Sequence, residues 1–161
     1  MKICMRNYIP VKILTKSKLT DFTLFNWVHL NYHDRYKDLI TIGNTLTGHD
    51  ELEPNASPNY ERISGMKSLH NAGFKTFASI EPIIHFESSL EMIQATVGFC
   101  DLYKIGLESG KKYNINQMGL FVYNCIQTVE NSGAKIYFKD SITKLIPNIK
   151  NECVVTRDYK I

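Results

Sequence analysis

Two stretches of this chain repeat one local pattern, and that repetition restricts the fold more than any other feature. In HNAGFKTFASI and in ENSGAKIYFKD a helical segment ends at a glycine, Gly73 or Gly133, and apolar or β-branched residues follow at once. Glycine is favoured there because it adopts the left-handed backbone conformation that ends a helix. Repetition of helix, glycine and short buried strand predicts parallel βα units.

Five short apolar runs are predicted to be strands of one parallel sheet. Several of them are apolar or β-branched at consecutive positions, which is typical of strands covered on both faces. The predicted strands are Val11–Thr15, 39–46, 74–80, Leu102–Leu107 and Lys135–Phe138.

Helices are predicted between these strands from the spacing of apolar residues and from helix-start patterns. Residues 19–30, 58–71 and 115–131 carry apolar side chains at helical spacing. Ser57 before Pro58 predicts a helix start, and the pairs Ser88 with Glu91 and Asn114 with Gln117 are typical of capping boxes.

The length of the chain limits how this sheet can close. A closed eight-stranded barrel takes about 250 residues, whereas this chain has 161. The predicted fold class is therefore α/β, a partial (βα) barrel of TIM type with about five parallel strands that is not closed. We assign 1–147 to this domain and 148–161 to a polar C-terminal tail. The sheet edges need a cover: the tail, the missing N-terminal half of a longer chain, or a second copy in a homo-oligomer.

Composition argues against several functional classes. The net charge is only +3 and the basic residues are not clustered, so nucleic-acid binding is not indicated. No apolar run reaches the roughly 18 residues that cross a bilayer, and no signal peptide begins the chain, so we expect a cytoplasmic protein without membrane contact.

Metal binding is not predicted from the cysteines or from the acidic segment 49–53. Cys4, Cys100, Cys125 and Cys153 lack the short spacings of zinc or cluster loops and are expected to be isolated reduced thiols. The segment HDELE contains residue types that bind metals, but adjacent positions rarely converge on one ion, so an exposed acidic loop is expected.

Every predicted strand ends in polar or ionisable residues. Because the carboxyl ends of parallel strands meet at one rim, we expect Lys16, Glu81, Lys104, Glu108 and Lys139 to converge there. Charges of both signs suit a zwitterionic or phosphate-bearing ligand. The alternative is that strand ends are polar simply because loops are solvated.

Three segments resemble the later half of radical S-adenosylmethionine (SAM) barrels, in particular the spore-photoproduct-lyase-like group. They are VKILTKS, TLTGHDELEPNASPNYERISGMKSLHNAGFKTFASIEPI and LYKIGLESGKK, and the resemblance covers about residues 10–140. It implies a SAM pocket in which Lys16 reaches the methionine carboxylate and Thr45 and Thr47 bind the ribose or amino-acid part. Arg62 would hold the carboxylate or orient the loop, and Glu81 would lie near ribose or substrate.

The resemblance stops short of the catalytic metal centre. Radical SAM enzymes hold a 4Fe–4S cluster on three cysteines of a CxxxCxxC loop, and the cluster performs the difficult chemistry. This chain has no CxxxCxxC. The cluster is therefore expected only in a full-length form, this chain is expected to be inactive alone, and no catalytic residue is predicted.

Three functional hypotheses follow from these observations. The first is the later part of a radical SAM-like enzyme that retains part of a SAM and substrate pocket. The second is a stand-alone, non-catalytic α/β module that associates through its exposed sheet edges. The third is a lyase or aldolase that uses Lys16, Lys104 or Lys139 as an amine nucleophile.

Overall fold

Five parallel strands form one sheet and lie side by side in their order along the chain. The computed structural model describes residues 2–19 and 37–161. The strands are β1 (Val11–Thr15), β2 (Ile40–Thr45), β3 (Lys75–Ile83), β4 (Leu102–Leu107) and β5 (Lys135–Phe138). Sequential parallel order is the order of a barrel wall, and β1 and β5 do not pair with each other. The prediction of an open, partial α/β barrel is confirmed.

All but the first of the described helices follow a strand, as βα units require, and the first precedes β1. They are α1 (Lys2–Arg6), α2 (Asn59–Asn71), α3 (Phe86–Thr96), α4 (Ile115–Val129) and α5 (Asp140–Thr143), with 3₁₀ turns at Lys37–Leu39 and Asp50–Leu52. The helices predicted over 58–71 and 115–131 are confirmed to within two residues. The helix predicted over 19–30 lies outside the described residues, apart from its first position.

The main hydrophobic core lies between one face of the sheet and helices α2 to α4. Ile80 and Ile105 from the strands pack there with Met66, Ile93 and Phe121 from the helices, and all five are buried. A smaller cluster beside β1 and β2 contains residues of α1 and α2. The helices therefore cover one face of the sheet, as right-handed crossovers require, and the opposite face lines a cleft.

One of the three predicted helix caps is present in the structure. Asn114 caps α4, since its side chain accepts hydrogen bonds from the backbone nitrogens of Asn116 and Gln117 at 2.9 and 3.2 Å. The caps predicted at Ser57 and Ser88 are wrong. Ser57 instead accepts from the Lys18 nitrogen, and Ser88 lies inside the first turn of α3.

The start of α2 is satisfied by a residue from outside the helix. Asp50 Oδ1 accepts hydrogen bonds from the backbone nitrogen of Asn59 at 2.7 Å and from its side chain at 2.6 Å. A carboxylate at a helix N-terminus binds unpaired backbone N–H groups and interacts favourably with the helix dipole. The 3₁₀ turn that carries Asp50 is therefore tied to α2.

The two glycines that open the sequence pattern have the predicted backbone. Gly73 has φ +88° and Gly133 has φ +83°, and each lies between a helix and the following strand.

β3 begins one residue later than predicted and extends three residues further, through Pro82, where its register with β4 shifts. Such irregular positions tolerate a proline because no ladder hydrogen bond is required there.

The two edges of the sheet differ. The C-terminal tail (148–161) lies along β5, where the Ile136 nitrogen donates to Cys153 O and the Val155 nitrogen donates to Ile136 O, both at 2.8 Å. Among the described strands, β1 pairs with β2 alone. No helix within the described residues has the length and apolar character needed to span a membrane.

Candidate ligand-binding cleft

Three of the side chains that the resemblance assigned to a SAM pocket converge on Glu53. Lys16 Nζ lies 2.8 Å from Glu53 Oε1, and Arg62 Nη2 lies 2.7 Å from Oε2. Thr47 Oγ1 donates to the same Oε2 at 3.2 Å. These four residues form what we call the Glu53 cluster. The carboxylate that Lys16, Thr47 and Arg62 bind is therefore one that the chain itself supplies.

Arg62 is fully buried and uses each side-chain nitrogen within the protein. Nε donates to Ser57 O, Nη1 donates to Thr45 O at 2.7 Å, and Nη2 donates to Glu53. The guanidinium thus joins the end of β2 to the loop before α2. A buried charge is tolerated only when it is paired and hydrogen-bonded in this way. In the structure Arg62 therefore holds the loop before α2 in place, and the Thr45 carbonyl is one of the groups that anchor it.

The protonation of Glu53 is set by two opposing effects. Burial alone would raise its pKa, but hydrogen bonds from Lys16 and Arg62 outweigh burial and lower the pKa below its ordinary value. The side chain is only 8% exposed, whereas Lys16 is 53% exposed. Glu53 is therefore ionised at neutral pH, and its charge is balanced by cations held against it.

The loop that carries Lys16 is fixed by backbone hydrogen bonds. When the Asn44 amide is oriented with its nitrogen toward this loop, it donates to Thr15 O at 3.2 Å and to Ser17 O at 3.1 Å. The Ser57 nitrogen donates to Lys16 O at 3.0 Å. The end of β1, the end of β2 and the loop before α2 are thus tied together around the Glu53 cluster.

The acidic segment 49–53 divides its side chains among separate partners. His49 Nδ1 lies 2.7 Å from Glu51 Oε1, and His49 Nε2 lies 2.9 Å from Ser88 Oγ. The hydrogen bond with His49 lowers the pKa of the exposed Glu51. Within 2–19 and 37–161, no three His, Cys, Asp or Glu side chains are grouped so that they could hold a metal ion.

The cysteines do not fit an iron–sulfur cluster either. All four are free, and Cys100, Cys125 and Cys153 are buried. Burial raises the pKa of Cys100 to about 12 and raises the pKa of Cys125 further. Cluster ligation requires accessible, convergent thiolates, whereas Cys100, Cys125 and Cys153 are core residues and Cys4 is partly buried in the smaller cluster.

Glu81 lies apart from the Glu53 cluster, on the open face of the sheet. There it lines a cleft of about 670 Å³ together with Lys12 of β1, Lys104 of β4 and Lys139 after β5. The C-terminal tail adds Arg157 at its margin. We call this feature the sheet-face cleft.

Strand register explains why these side chains share a face. Ser79 of β3 is paired with Lys104, and Lys104 is paired with Tyr137 of β5. Paired residues of neighbouring strands point to the same side, and successive residues alternate. All three side chains line the cleft, so Lys104 lies at the centre of a polar row across the sheet.

Beneath Lys104 the floor of the cleft is aromatic. Phe77 is 2% exposed, and its ring occupies the space above Gly43, where any Cβ would collide with it. Lys104 Nζ lies 4.7 Å from the centroid of that ring. A cation at this distance over a ring face is attracted by the π electrons. Gly43 therefore permits the aromatic floor on which the lysine rests.

Positive charge exceeds negative charge among the residues that line the cleft. Lys139 Nζ forms an ion pair with Glu81, whereas no described carboxylate lies within ion-pair distance of Lys104. Burial lowers the pKa of Lys104, and the positive charges of Lys12 and Lys139 lower it further against the opposing effect of Glu81. Four cationic side chains therefore line the cleft against two carboxylates, Glu81 and Asp140.

The single predicted rim is divided in the structure. Glu81, Lys104 and Lys139 do come together in the cleft. Lys16 belongs to the Glu53 cluster, and the exposed Glu108 lies 3.8 Å from Lys111. The expectation that all five residues converge is therefore wrong, because Lys16 is held by Glu53 beside Arg62 and the Glu108 side chain is paired with Lys111 outside the cleft.

Sequence reasoning missed Glu53, Lys12 and Arg157 as members of these sites. Glu53 precedes Pro54 within the segment TLTGHDELEPN that carries the radical SAM resemblance, and this position is the signal that could have identified it. Lys12 alternates with apolar neighbours inside β1, a pattern that identifies a face of the strand but not the face that lines a cleft.

Comparisons with known proteins assign no relationship: no protein-family model, no curated protein and no solved structure matches this chain.

Proposed function

We propose that this chain is part of an α/β-barrel enzyme and that it contributes the sheet-face cleft, which binds an anionic small molecule. The observation that carries this proposal is the placement of Lys12, Lys104 and Lys139 in one cleft. Their mutual repulsion is relieved when a phosphate or carboxylate group binds between them. Hydroxyl groups along the same wall supply further hydrogen-bond donors.

The position of the cleft also supports a ligand site. Barrel enzymes bind ligands at the carboxyl ends of their strands, and Glu81 and Lys139 stand near the ends of β3 and β5. Arg157 and Tyr159 of the tail line the same cleft. A bound ligand would therefore contact both the sheet and the segment that covers its β5 edge.

The resemblance to radical SAM enzymes adds a named ligand to this proposal. In that form, the chain is the later part of such an enzyme, is inactive alone, and receives its cluster segment from a longer form. Lys16, Thr47 and Arg62 already bind Glu53, so they fit a scaffold better than a cradle for the SAM carboxylate. SAM also carries a sulfonium and an ammonium, which a cation-rich cleft disfavours.

Calorimetric titration of the chain with inorganic pyrophosphate and, separately, with SAM tests these alternatives. We expect pyrophosphate to bind, to weaken at high salt, and to lose affinity in Lys104→Met and Lys139→Met. Lys111→Met is the matched control, because Lys111 is a lysine outside the sheet-face cleft. Failure of pyrophosphate to bind would reject the proposal. SAM binding that is lost in Lys16→Met would instead identify the Glu53 cluster as the cofactor site.

A second candidate function rests on the β1 edge of the sheet. β1 pairs with β2 alone among the described strands, and Leu14 on its open face is 53% exposed. Exposed edge strands are prone to pair with another chain. We propose, as the alternative, a non-catalytic module that associates through β1 with a second copy.

Sedimentation equilibrium distinguishes this alternative. It predicts a stable dimer that Leu14→Lys converts to monomer, whereas Leu120→Lys, at an exposed position of α4, leaves the dimer intact. A strictly monomeric protein at all concentrations rejects association through β1.

A further inference from the structure

Lys104 differs from the other lysines of the cleft in its surroundings. Its ammonium group rests over the Phe77 ring, while Lys139 is tied to Glu81 by an ion pair and Lys12 is exposed on β1. The backbone of Lys104 is held in β4, between β3 and β5. A partly buried amine on a rigid strand, facing a cleft, has the placement that an attacking nucleophile requires.

The surroundings of Lys104 lower its pKa and so increase the fraction of neutral amine, although Glu81 acts in the opposite direction. Burial disfavours the ammonium, and the nearby ammonium groups of Lys12 and Lys139 disfavour it further. A lysine becomes nucleophilic through this combination of desolvation and neighbouring cations. The same two lysines would bind an anionic group placed next to the amine.

We propose that Lys104 forms a Schiff base with an aldehyde or ketone that carries a phosphate or carboxylate group, and that Lys12 and Lys139 hold this anionic group in the sheet-face cleft. The inference rests on the proposed anion site and adds a covalent step to it. It also separates Lys104 from Lys16, which the Glu53 cluster occupies.

The covalent step balances without an oxidant or reductant. The lone pair of the neutral Lys104 amine attacks the carbonyl carbon, and the carbonyl π electrons move to oxygen, which takes up a proton to give a carbinolamine. The nitrogen loses a proton, and the carbinolamine hydroxyl takes up a second proton. The C–O bond then breaks and water leaves while the nitrogen lone pair forms the C=N bond of a protonated imine. The Tyr137 hydroxyl and the Glu81 carboxylate line the cleft and are placed to exchange these protons.

Two features of the cleft bear on the class of substrate. Its volume of about 670 Å³ accommodates a small metabolite, and the cations lie on both sides of Lys104 in strand order. A short aldehyde with a terminal phosphate would place its anion on Lys12 or Lys139 while its carbonyl carbon reaches the amine. An uncharged aldehyde of the same length lacks this anchor.

Reductive trapping tests the proposal on the chain as it exists. Glycolaldehyde phosphate and, in parallel, uncharged glycolaldehyde are added with sodium cyanoborohydride, and the modified lysines are identified by peptide mass spectrometry after short reaction times. We expect Lys104 to be the first lysine labelled by the phosphorylated aldehyde, and Lys104→Arg to lose this label. Lys67→Arg, at an exposed position of α2, serves as the control and keeps it.

Inorganic pyrophosphate as a competitor separates this inference from the proposed function. We expect pyrophosphate to suppress the labelling of Lys104 and to leave the labelling of the other lysines unchanged. Pyrophosphate binding without preferential labelling of Lys104 would overturn the Schiff base and leave the anion site intact. Preferential labelling by both aldehydes alike, with no effect of pyrophosphate, would overturn the anion site and the anionic substrate class together.

Discussion

The Glu53 cluster and the sheet-face cleft contain similar residue types in opposite electrostatic states. In the cluster, Lys16 and Arg62 bind a carboxylate of the chain itself, and Arg62 is fully buried. In the cleft, Lys139 is paired with Glu81, but Lys104 lies near Lys12 and Lys139 and has no described carboxylate within ion-pair distance. The charges of the Glu53 cluster are balanced without a ligand, whereas an anionic ligand would reduce the repulsion among the cations of the cleft.

This difference distinguishes charges that hold the fold from charges available for binding. Removing a partner from a buried, satisfied network leaves an uncompensated charge and is strongly destabilising. Removing one cation from a cluster of like charges relieves repulsion and costs little. Substitutions in the Glu53 cluster should therefore lower stability more than substitutions in the cleft. Substitutions in the cleft should weaken anion binding more than substitutions in the Glu53 cluster.

The largest expected effect is that of Arg62→Met. It leaves Glu53 without its buried partner and removes the donors to Thr45 O and Ser57 O. We expect the free energy of unfolding to fall by about 4 kcal/mol, measured by urea denaturation. The adjacent Glu61→Gln is the control and should change it by less than about 0.5 kcal/mol. Equal stability of the two variants would contradict the scaffold role of Arg62.

Glu53→Gln should have the next largest effect, a loss of about 3 kcal/mol at neutral pH, because Arg62 then lacks a buried counter-charge. The pKa of Glu53 is lowered in the folded protein from 4.5. Its stabilisation is therefore present above that ordinary value and is lost as the pH falls through the folded-state pKa. Urea denaturation over a pH series should show the difference between the two proteins narrowing in acid. A constant difference would refute this origin.

Gly43→Ala tests whether the floor of the cleft is as tightly built as we infer. A methyl group at this position collides with the Phe77 ring, and such overpacking costs about 2 kcal/mol. Gly98→Ala is the matched control, since no atom lies within 4 Å of its Cβ position. Thermal unfolding of both variants measures the contrast, and equal melting temperatures would show that the ring is free to move away.

The smallest expected change in stability is that of Lys104→Met. Its lowered pKa means that the charged form destabilises the folded state at neutral pH, while the cation–π contact with Phe77 acts in the opposite direction. We expect a net change below about 0.5 kcal/mol by urea denaturation. A large loss would place Lys104 with the scaffold residues and would remove the contrast between the two regions.

Much of the fold was predictable because its signals are local. The bounds of three strands, Val11–Thr15, Leu102–Leu107 and Lys135–Phe138, match the sequence prediction residue by residue. Glycines after helices and short apolar runs act over a few residues, so one sequence contains them in full. The cap of α2 was not predicted correctly, because the residue that caps it, Asp50, belongs to a separate turn.

The sites were harder to predict because they depend on distant contacts. Glu53 meets Lys16 only after β1 and β2 are paired, and Glu81 meets Lys139 across the ends of β3 and β5. Polar strand ends indicated which residues stand near an edge, but not how the loops would divide them. Lys12 could be placed in the cleft only once it was known which face of the sheet the helices leave open. That face is set by the helix crossovers and not by the sequence around Lys12.

The most direct test of the account follows backbone amide chemical shifts while inorganic pyrophosphate is added to the chain. We expect the largest changes at Lys104, Lys139 and their neighbours in β4 and β5, and we expect Lys104→Met to weaken them. Changes centred on Thr47 and Glu53, or no changes at all, would contradict the assignment of the sheet-face cleft as the ligand site.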